Sequence, residues 1–136
     1  MAALPTQHGL YCYSMYPVAL YDTLGPDASA YIVGHAELPI VVSTLDKIPS
    51  LLSIAGSVPV LKVIVSMDSL NNGEGRAVVG WAKDKGIAVL EFGEIERIGA
   101  AAKRAHHPPK PEDILTIMYT SGGLLWIGGL VVTGGR

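Results

Sequence analysis

Short apolar runs alternate along this chain with segments in which apolar residues recur at helical spacing. The run at residues 60–67 is nearly continuous in Leu, Val and Ile, which is typical of a strand buried on both faces. Ala28, Tyr31, Ile32 and His35 follow the i, i+3, i+4, i+7 pattern of one helix face. The pattern predicts strands at residues 12–20, 38–43, 60–67, 87–92 and 114–119.

The segments between these strands predict four helices with short connections. Pro26 falls in the first turn of the first helix, where its missing N–H costs nothing. Gly56 and Gly86 end the second and third helices, residues 71–75 are a loop by composition, and residues 94–105 form the fourth helix. This order predicts an α/β fold with an open, doubly wound, mainly parallel sheet of right-handed βαβ units. Ligands of such sheets bind at the carboxyl ends of the strands.

Composition excludes several classes of protein. Hydrophobic residues make up 49% of the chain and charged residues 16%, against about 25% charged in average globular proteins, so the chain is not intrinsically disordered. The net charge of −2 leaves no basic surface to neutralise phosphates, which argues against nucleic-acid binding. The single cysteine, Cys12, excludes an intrachain disulfide and a Cys-based zinc site.

Neither end of the chain predicts a targeting or membrane segment. Residues 1–21 carry no charge, but they lack a basic start and are interrupted by Pro5 and Pro17. Residues 114–135 are also uncharged, but glycines and hydroxyl residues interrupt them, and their apolar core at 124–132 is too short to span a bilayer. We therefore expect a cytoplasmic protein or one peripheral to an organelle membrane.

The most informative polar segment directly follows the last predicted strand. Thr120, Ser121, Gly122 and Gly123 are small, and backbone N–H groups in such a loop can point at a phosphate. An ordinary Ser-Gly turn explains the same residues. No lysine follows Lys110, so the segment is not a P-loop of the G-x-x-x-x-G-K-[ST] type.

Histidines and the cysteine offer further candidates, each with a structural explanation. His106 and His107 suggest a metal site, but they lack a third ligand at suitable spacing, which favours a solvated, proline-rich linker. His35 lies on the apolar face of the first helix and is expected to be a core or partly buried residue. Cys12 is expected to be a small buried hydrophobe.

Acidic residues cluster after the fourth strand. Glu91, Glu94 and Glu96 could do acid–base chemistry, but a solvated start of a helix is the favoured interpretation. Asp22 is a turn or cap residue by local chemistry. From these residues alone, the sequence indicates a nucleotide-binding-like α/β domain without an assignable catalytic group.

Several stretches are similar to long-chain fatty acid–CoA ligases of the AMP-forming, adenylate-forming superfamily. Residues 20–26 read Leu-Tyr-Asp-Thr-Leu-Gly-Pro and resemble a segment of these ligases, and so do residues 61–68. Residues 111–114 lead into residues 117–122, which resemble the strand that enters the family's signature loop. The similarity covers residues 9–122 and is greatest to fungal members.

This resemblance implies a reaction in which a fatty acid and ATP give an acyl-adenylate and pyrophosphate, followed by thioester formation with coenzyme A. It implies ATP, Mg²⁺ and coenzyme A as cofactors of the parent enzyme, and it is compatible with peripheral membrane association. Only Thr120, Ser121 and Gly122 carry over, as the start of the ATP phosphate loop. Gly123 departs from the family's threonine, and the proline and lysine that follow in the family are missing. No catalytic residue and no metal ligand carries over, and we expect this chain to bind none of these cofactors.

The resemblance also predicts a domain organisation. Residues 1–122 are expected to be a partial AMP-dependent synthetase/ligase domain from the N-terminal region of such an enzyme. Residues 123–136 are expected to be an unrelated tail that arises from a shifted reading frame or from splicing. The expected function is that of a truncated long-chain fatty acid–CoA ligase, inactive alone. The alternatives are a free-standing nucleotide-binding α/β module and a product without a selected role.

Overall fold

Helices and strands alternate over the middle of the chain, as the periodicity predicts. The structure, a computed structural model, describes residues 3–21, 25–102, 104–120 and 128–133. Its helices are α1 (Ala3–Tyr11), α2 (Gly25–His35), α3 (Ile48–Ile54), α4 (Gly73–Asp84) and α5 (Phe92–Ala101). Its strands are β1 (Ile40–Ser43), β2 (Val63–Ser66), β3 (Ala88–Glu91), β4 (Ile114–Thr120) and β5 (Gly128–Thr133). The chain divides into a central unit, Asp22–Lys103, and a terminal unit that joins Met1–Tyr21 with Arg104–Arg136.

The central unit is built on a parallel sheet in which β2 lies between β1 and β3. The register places Val41 beside Ile64 and Ile64 beside Val89. Ile64 and Val65 point to opposite faces of β2, and both are buried. Parallel strands that are buried on both faces are typical of α/β folds. The predicted α/β fold with a mainly parallel sheet is therefore confirmed for this unit.

Apolar side chains from two helices and the middle strand form the core. Helix α2 packs against α3, and α3 packs against α4. Ile32 and Val33 of α2, Ile48 and Leu52 of α3, and Ile64 of β2 are at most 1% exposed. Burial of each such side chain contributes about 1.5–3 kcal/mol relative to leaving it in water. This core explains why apolar residues recur at helical spacing in α2 and α3, although Tyr31 of the face predicted for α2 is exposed.

Local sequence signals decide where the helices begin and end. Pro49 lies in the first turn of α3, where it removes no helical hydrogen bond. The Asn72 side chain caps α4 by accepting a hydrogen bond from the Gly75 N–H at 2.6 Å. The loop predicted at residues 71–75 is therefore wrong from Gly73 onwards, because the asparagine cap starts the helix there. Gly86 follows α4 with a φ of +70°, which confirms it as the residue that ends this helix.

The terminal unit contains a second, smaller sheet. β4 and β5 pair in antiparallel fashion, with Met118 opposite Leu130 and Thr120 opposite Gly128. The strand predicted at residues 114–119 is confirmed as β4, but its expected place in the parallel sheet is wrong. An irregular, proline-rich stretch connects α5 to β4, and the pattern of a strand does not specify which sheet it joins.

The strand predicted at residues 12–20 is wrong. Helix α1 ends at Tyr11 and a turn follows it, in which Ser14 has a φ of +56°. Pro17 lacks the N–H that a strand ladder needs, and Val18 alone forms an isolated parallel bridge, with Ile117. β-Branched and aromatic residues here fill an extended segment and not a regular strand.

Two glycines of α4 provide a test of the packing at its start. A Cβ at Gly75 would lie 2.5 Å from the Cα of Leu70 and 2.6 Å from its carbonyl oxygen, whereas a Cβ at Gly80 would meet nothing within 4 Å. We expect Gly75→Ala to lower the free energy of unfolding by about 1–3 kcal/mol through overpacking. The matched Gly80→Ala is expected to raise it by up to about 1 kcal/mol, because alanine favours a helix. Urea denaturation followed by circular dichroism measures both, and equal effects would contradict this packing.

Candidate functional site

The predicted phosphate loop begins at the carboxyl end of β4. Thr120 is the last residue of β4, and Tyr119 before it is 4% exposed. Ser121 and Gly122 lie outside the described residues, and so does the side chain of Thr120. The strand that leads into the loop is therefore confirmed. A role for Thr120, Ser121 and Gly122 in binding phosphate stays a prediction.

The segment after α1 holds the edge of β4 that faces away from β5. The Ile117 N–H donates to the carbonyl oxygen of Pro17 at 3.2 Å, and the Thr116 hydroxyl donates to the same oxygen at 3.0 Å. The bridge between Val18 and Ile117 continues this contact. β4 is thus supported on both edges just before the predicted loop.

A carboxylate connects the same segment to the turn that precedes β4. The Ser14 hydroxyl and the Lys110 N–H both donate to Asp113 Oδ2, each at 2.8 Å. The Asp113 N–H donates in turn to the Lys110 carbonyl oxygen at 3.0 Å, which closes the turn. These two donors, first the Lys110 N–H and then the Ser14 hydroxyl, hold the pKa of the Asp113 carboxyl below its usual value of 3.8.

A cavity of about 220 Å³ lies beside this carboxylate. Its walls are mainly apolar, and the charged residues in them are Lys110 and Asp113. Oδ2 of Asp113 already accepts two hydrogen bonds. We therefore assign the carboxylate to stabilising the turn before β4 and not to binding a ligand in the cavity. The lining residues are Tyr11, Met15, Pro109, Lys110, Pro111, Asp113, Ile114 and Leu115.

At the carboxyl ends of the parallel strands, two carboxylates repeat one arrangement. Asp68, just after β2, accepts a hydrogen bond from the N–H of Leu45, which follows β1, at 2.8 Å. Glu91, at the end of β3, accepts one from the N–H of Leu70, which follows β2, at 2.6 Å. Each acid therefore holds the loop that follows the preceding strand. We call this pair of contacts the loop ties.

Glu91 makes further contacts that the sequence analysis did not predict. The Ser69 hydroxyl and the Asn71 side-chain amide also donate to Glu91 Oε1, each at 3.2 Å. Glu91 does lie at the start of a helix, as the N-cap residue of α5, but its carboxylate binds these donors, so the expectation that it is simply solvated is wrong. Glu94 forms an ion pair with Arg97 at 3.7 Å, and Glu96 is exposed, as that interpretation expects. The sequence analysis missed the loop ties, and the one signal that could have found them is the recurrence of an acid at the ends of two successive strands.

The remaining candidates lie on the surface. His35 is exposed and stacks on Tyr31 with ring centroids 5.2 Å apart, so its expected place in the core is wrong. The buried face of α2 uses Ala28, Ile32 and Val33 instead. In the ranges that the structure describes, no group of three or more His, Cys, Asp and Glu residues could hold a metal ion.

The linker residues contact the segment after α1. His106 is exposed and meets the Tyr13 ring edge-on at a centroid distance of 5.6 Å. The N–H of exposed His107 donates to the Cys12 carbonyl oxygen at 2.8 Å. Cys12 itself is half-buried, so the expectation of a buried residue at this position is wrong. These contacts connect the linker to the segment after α1 within the terminal unit.

Comparison with known proteins gives one family for most of the chain. Residues 2–123 match the sequence profile of the family described as "AMP-binding enzyme". The chain is 41% identical over 129 residues to "Acyl-CoA ligase 891, peroxisomal" of Penicillium roqueforti, covering 90% of this chain and 18% of that protein. It is 40% identical over 119 residues to "Long-chain-fatty-acid--CoA ligase 1" of Homo sapiens, covering 85% of this chain and 16% of that protein. The chain therefore spans less than a fifth of the length of these relatives.

Solved structures with a similar fold include adenylation domains. The adenylation domain of a carboxylate reductase from Mycobacterium chelonae matches 88% of this chain and 20% of its own, with a TM-score of 0.77 and 15% identity. The A-PCP didomain of a carboxylic acid reductase from Segniliparus rugosus, solved with AMP, matches 94% of this chain and 19% of its own, with a TM-score of 0.79 and 16% identity. The α/β arrangement described above is therefore that of part of an adenylation domain.

The loop tie at Glu91 is open to a direct test. We expect Glu91→Ala to lower the free energy of unfolding by about 1–3 kcal/mol. The substitution removes hydrogen bonds to a charged acceptor and leaves the Leu70 N–H without the carboxylate to which it donates. Glu96→Ala on α5 is the matched control and should change stability by less than about 0.5 kcal/mol. Denaturant unfolding of both variants provides the measurement, and indistinguishable midpoints would contradict the tie.

The Asp113 turn predicts a titration below the usual range. Because the pKa is lowered in the folded state, the carboxylate stabilises the turn fully at pH values above about 3.8, and this contribution is lost as pH falls through the lower folded pKa. Carboxyl-detected NMR titration should give Asp113 a midpoint below 3.8. Ser14→Ala should raise that midpoint, whereas Ser57→Ala, a serine of the central unit, should not. A wild-type midpoint at or above 3.8 would show that the two donors do not bind the carboxylate.

Proposed function

This chain belongs to the family of AMP-binding enzymes, and from that premise we propose that it is part of a long-chain fatty acid–CoA ligase. The observation that carries the proposal is the family match over residues 2–123. Identities of 41% and 40% to two acyl-CoA ligases support this class of substrate. The similar fold of solved adenylation domains supports an adenylate-forming reaction.

In the whole enzyme, the proposed reaction has two steps. The fatty acid carboxylate attacks the α-phosphorus of ATP, which forms the acyl-adenylate and releases pyrophosphate. The thiol of coenzyme A then attacks the acyl carbon, which forms the thioester and releases AMP. Fatty acid, ATP and coenzyme A are the proposed substrates, and Mg²⁺ is the proposed metal.

This chain supplies only the beginning of the nucleotide site. Backbone N–H groups at Thr120, Ser121 and Gly122 are proposed to start the loop that binds the ATP phosphates. The chain has no lysine after Lys110, and among the residues described by the structure no cluster of metal-ligating side chains occurs. These residues therefore do not suffice to hold ATP and Mg²⁺. The cation and the remaining phosphate contacts are proposed to come from other parts of the enzyme.

What the described residues contribute is positioning. β4 carries Thr120 at its carboxyl end, and the Pro17 carbonyl oxygen binds the middle of that strand. Asp113 fixes the turn before β4 through Ser14 and Lys110. Since a loop that binds phosphate must be held in place to stabilise developing charge, these contacts are proposed to orient the loop in the whole enzyme.

Domain boundary and location complete the proposal. Residues 1–122 are proposed to be the ligase portion and residues 123–136 an unrelated tail, which the end of the family match at residue 123 supports.

Within the described residues, none of the helices has the length and apolar character needed to cross a membrane. The whole enzyme is proposed to be cytoplasmic or peripheral to an organelle membrane, since the Penicillium relative is named as peroxisomal.

The proposal predicts opposite behaviour for the chain alone and for the chain placed in a complete enzyme. The isolated chain should give no palmitate-dependent ATP–pyrophosphate exchange above a blank without protein, because the cationic groups that stabilise developing charge are missing. A chimera in which residues 2–122 replace the matching segment of the Penicillium ligase should retain acyl-CoA formation within about tenfold, a loss of no more than about 1.4 kcal/mol of transition-state stabilisation.

Variants within the chimera test the loop residues. Gly122→Val should lower kcat/KM by about 100-fold, because a β-branched side chain obstructs the close approach of backbone to phosphate. Gly56→Val, in the exposed turn after α3, is the control and should have little effect. Exchange by the isolated chain, or an inactive chimera that folds, would contradict the proposal. Nucleotide affinity of the isolated chain would instead favour a free-standing binding module.

A further inference from the structure

The register of β4 against β5 changes within the strand. Ile114 lies opposite Thr133, but Thr116 lies opposite Val132. β4 therefore advances by two residues where β5 advances by one, and Leu115 is the extra residue of a β-bulge. The register that begins after this bulge continues without interruption to the carboxyl end of β4, where the proposed phosphate loop starts.

Pairing with β5 specifies this register only weakly. β5 accommodates two registers of β4, one on either side of the bulge. Its sequence, Gly-Gly-Leu-Val-Val-Thr, begins with two glycines, and glycine-rich strands are prone to slip by one residue. The register before the bulge, continued through the whole strand, is therefore the one that competes with the observed register. A contact on the other edge of β4 is needed to select between them.

Such a contact lies at the residue where the observed register begins. The Thr116 hydroxyl donates to the Pro17 carbonyl oxygen at 3.0 Å, and the Ile117 N–H donates to the same oxygen at 3.2 Å. Residues 114–118 read Ile-Leu-Thr-Ile-Met, so every residue offers a backbone N–H but only Thr116 offers a side-chain donor. In the competing register Leu115 takes the place of Thr116 beside Pro17. The hydrogen bond of the hydroxyl is then lost, because a leucine side chain cannot donate one.

We propose that Thr116 is a positioning residue of the ligase, whose hydrogen bond to Pro17 selects the register of β4 and thereby the point at which the loop for the ATP phosphates begins. Consecutive residues of a strand are about 3.3 Å apart, so a shift by one residue displaces the start of the loop by that distance. An N–H group displaced this far from a phosphate oxygen no longer forms a hydrogen bond with it. The inference rests on the proposed function, because it concerns the loop of the same nucleotide site.

Disulfide trapping measures the register in the 136-residue chain without reference to activity. Val18 and Ile117 are bridge partners, so Val18→Cys with Ile117→Cys, in a Cys12→Ala background, should form a disulfide in the observed register. In the competing register Ile117 lies beside Ala19 instead, so Ala19→Cys with Ile117→Cys reports the shift. We expect Thr116→Val to change the ratio of the two disulfide yields by about fivefold in favour of the second pair, the effect of losing one hydrogen bond.

Two further variants identify the hydroxyl as the cause. Thr116→Ser keeps a hydroxyl and should restore the yields. Ser53→Ala removes a hydroxyl that donates to the Ser50 carbonyl oxygen at 2.7 Å in α3, and as the matched control it should change neither yield. Thr116→Ala, which also lacks the hydroxyl, takes the place of the valine variant if circular dichroism shows that the latter does not fold.

Kinetics of the chimera described above test the link to the nucleotide, since Pro17 and Thr116 both lie within the transplanted residues. If only the observed register binds ATP, the KM for ATP rises as the fraction of molecules in that register falls. We expect Thr116→Val to raise the KM for ATP by about two- to fivefold and to leave kcat at saturating ATP unchanged. The KM for palmitate at saturating ATP should not change. Thr116→Ser should restore the KM for ATP, and Ser53→Ala should alter none of these constants.

The outcomes separate the register from the function. Disulfide yields that Thr116→Val leaves unchanged, or that Thr116→Ser fails to restore, overturn the proposal. An active chimera in which Thr116→Val leaves the KM for ATP unchanged, or lowers kcat alone, overturns it as well. A folded chimera that is inactive before any substitution contradicts the proposed function, whereas the disulfide yields still decide whether Thr116 selects the register.

Discussion

The position of β2 between two parallel neighbours is the constraint on which the central unit depends. Ile64 and Ser66 are fully buried, and Val65 on the opposite face is 4% exposed, so water does not satisfy the backbone of this strand. Its N–H and C=O groups must therefore pair with β1 on one side and β3 on the other. Parallel pairing requires a long connection between successive strands, and α3 and α4 lie in those connections. The parallel pairing of this one short strand therefore requires the crossover connections that contain α3 and α4.

The sequence predicted the parts of the fold that depend on local periodicity. The apolar run around Ile64 predicted β2, and helical spacing predicted α2. Of the four residues expected on one face of α2, however, Ala28 and Ile32 are buried, whereas Tyr31 and His35 are exposed. Partnership between strands is a long-range property, so β4 was predicted as a strand but placed in the wrong sheet. The start of α4 at Asn72 was not predicted, because Asn and Gly are typical of loops as well as of helix caps.

The candidate site was harder to predict than the fold. Asp68, Glu91 and Asp113 have no recognisable motif, since each acts on a backbone N–H that lies far away in the chain. These acids are already engaged in holding turns and loops. This leaves the proposed phosphate loop after β4 as the candidate site of this chain.

The loop ties have an evolutionary consequence. Asp68 and Glu91 each bind a main-chain N–H, so the contact does not depend on which side chain stands at position 45 or 70. The ties themselves therefore survive a change of side chain at these positions, whereas the burial of Leu45 and Leu70 keeps both positions apolar. An inserted or deleted residue, however, displaces the donor by about 3.8 Å, the distance between consecutive Cα atoms, which takes it out of reach of the carboxylate. We therefore expect relatives of this unit to keep the length of these two loops.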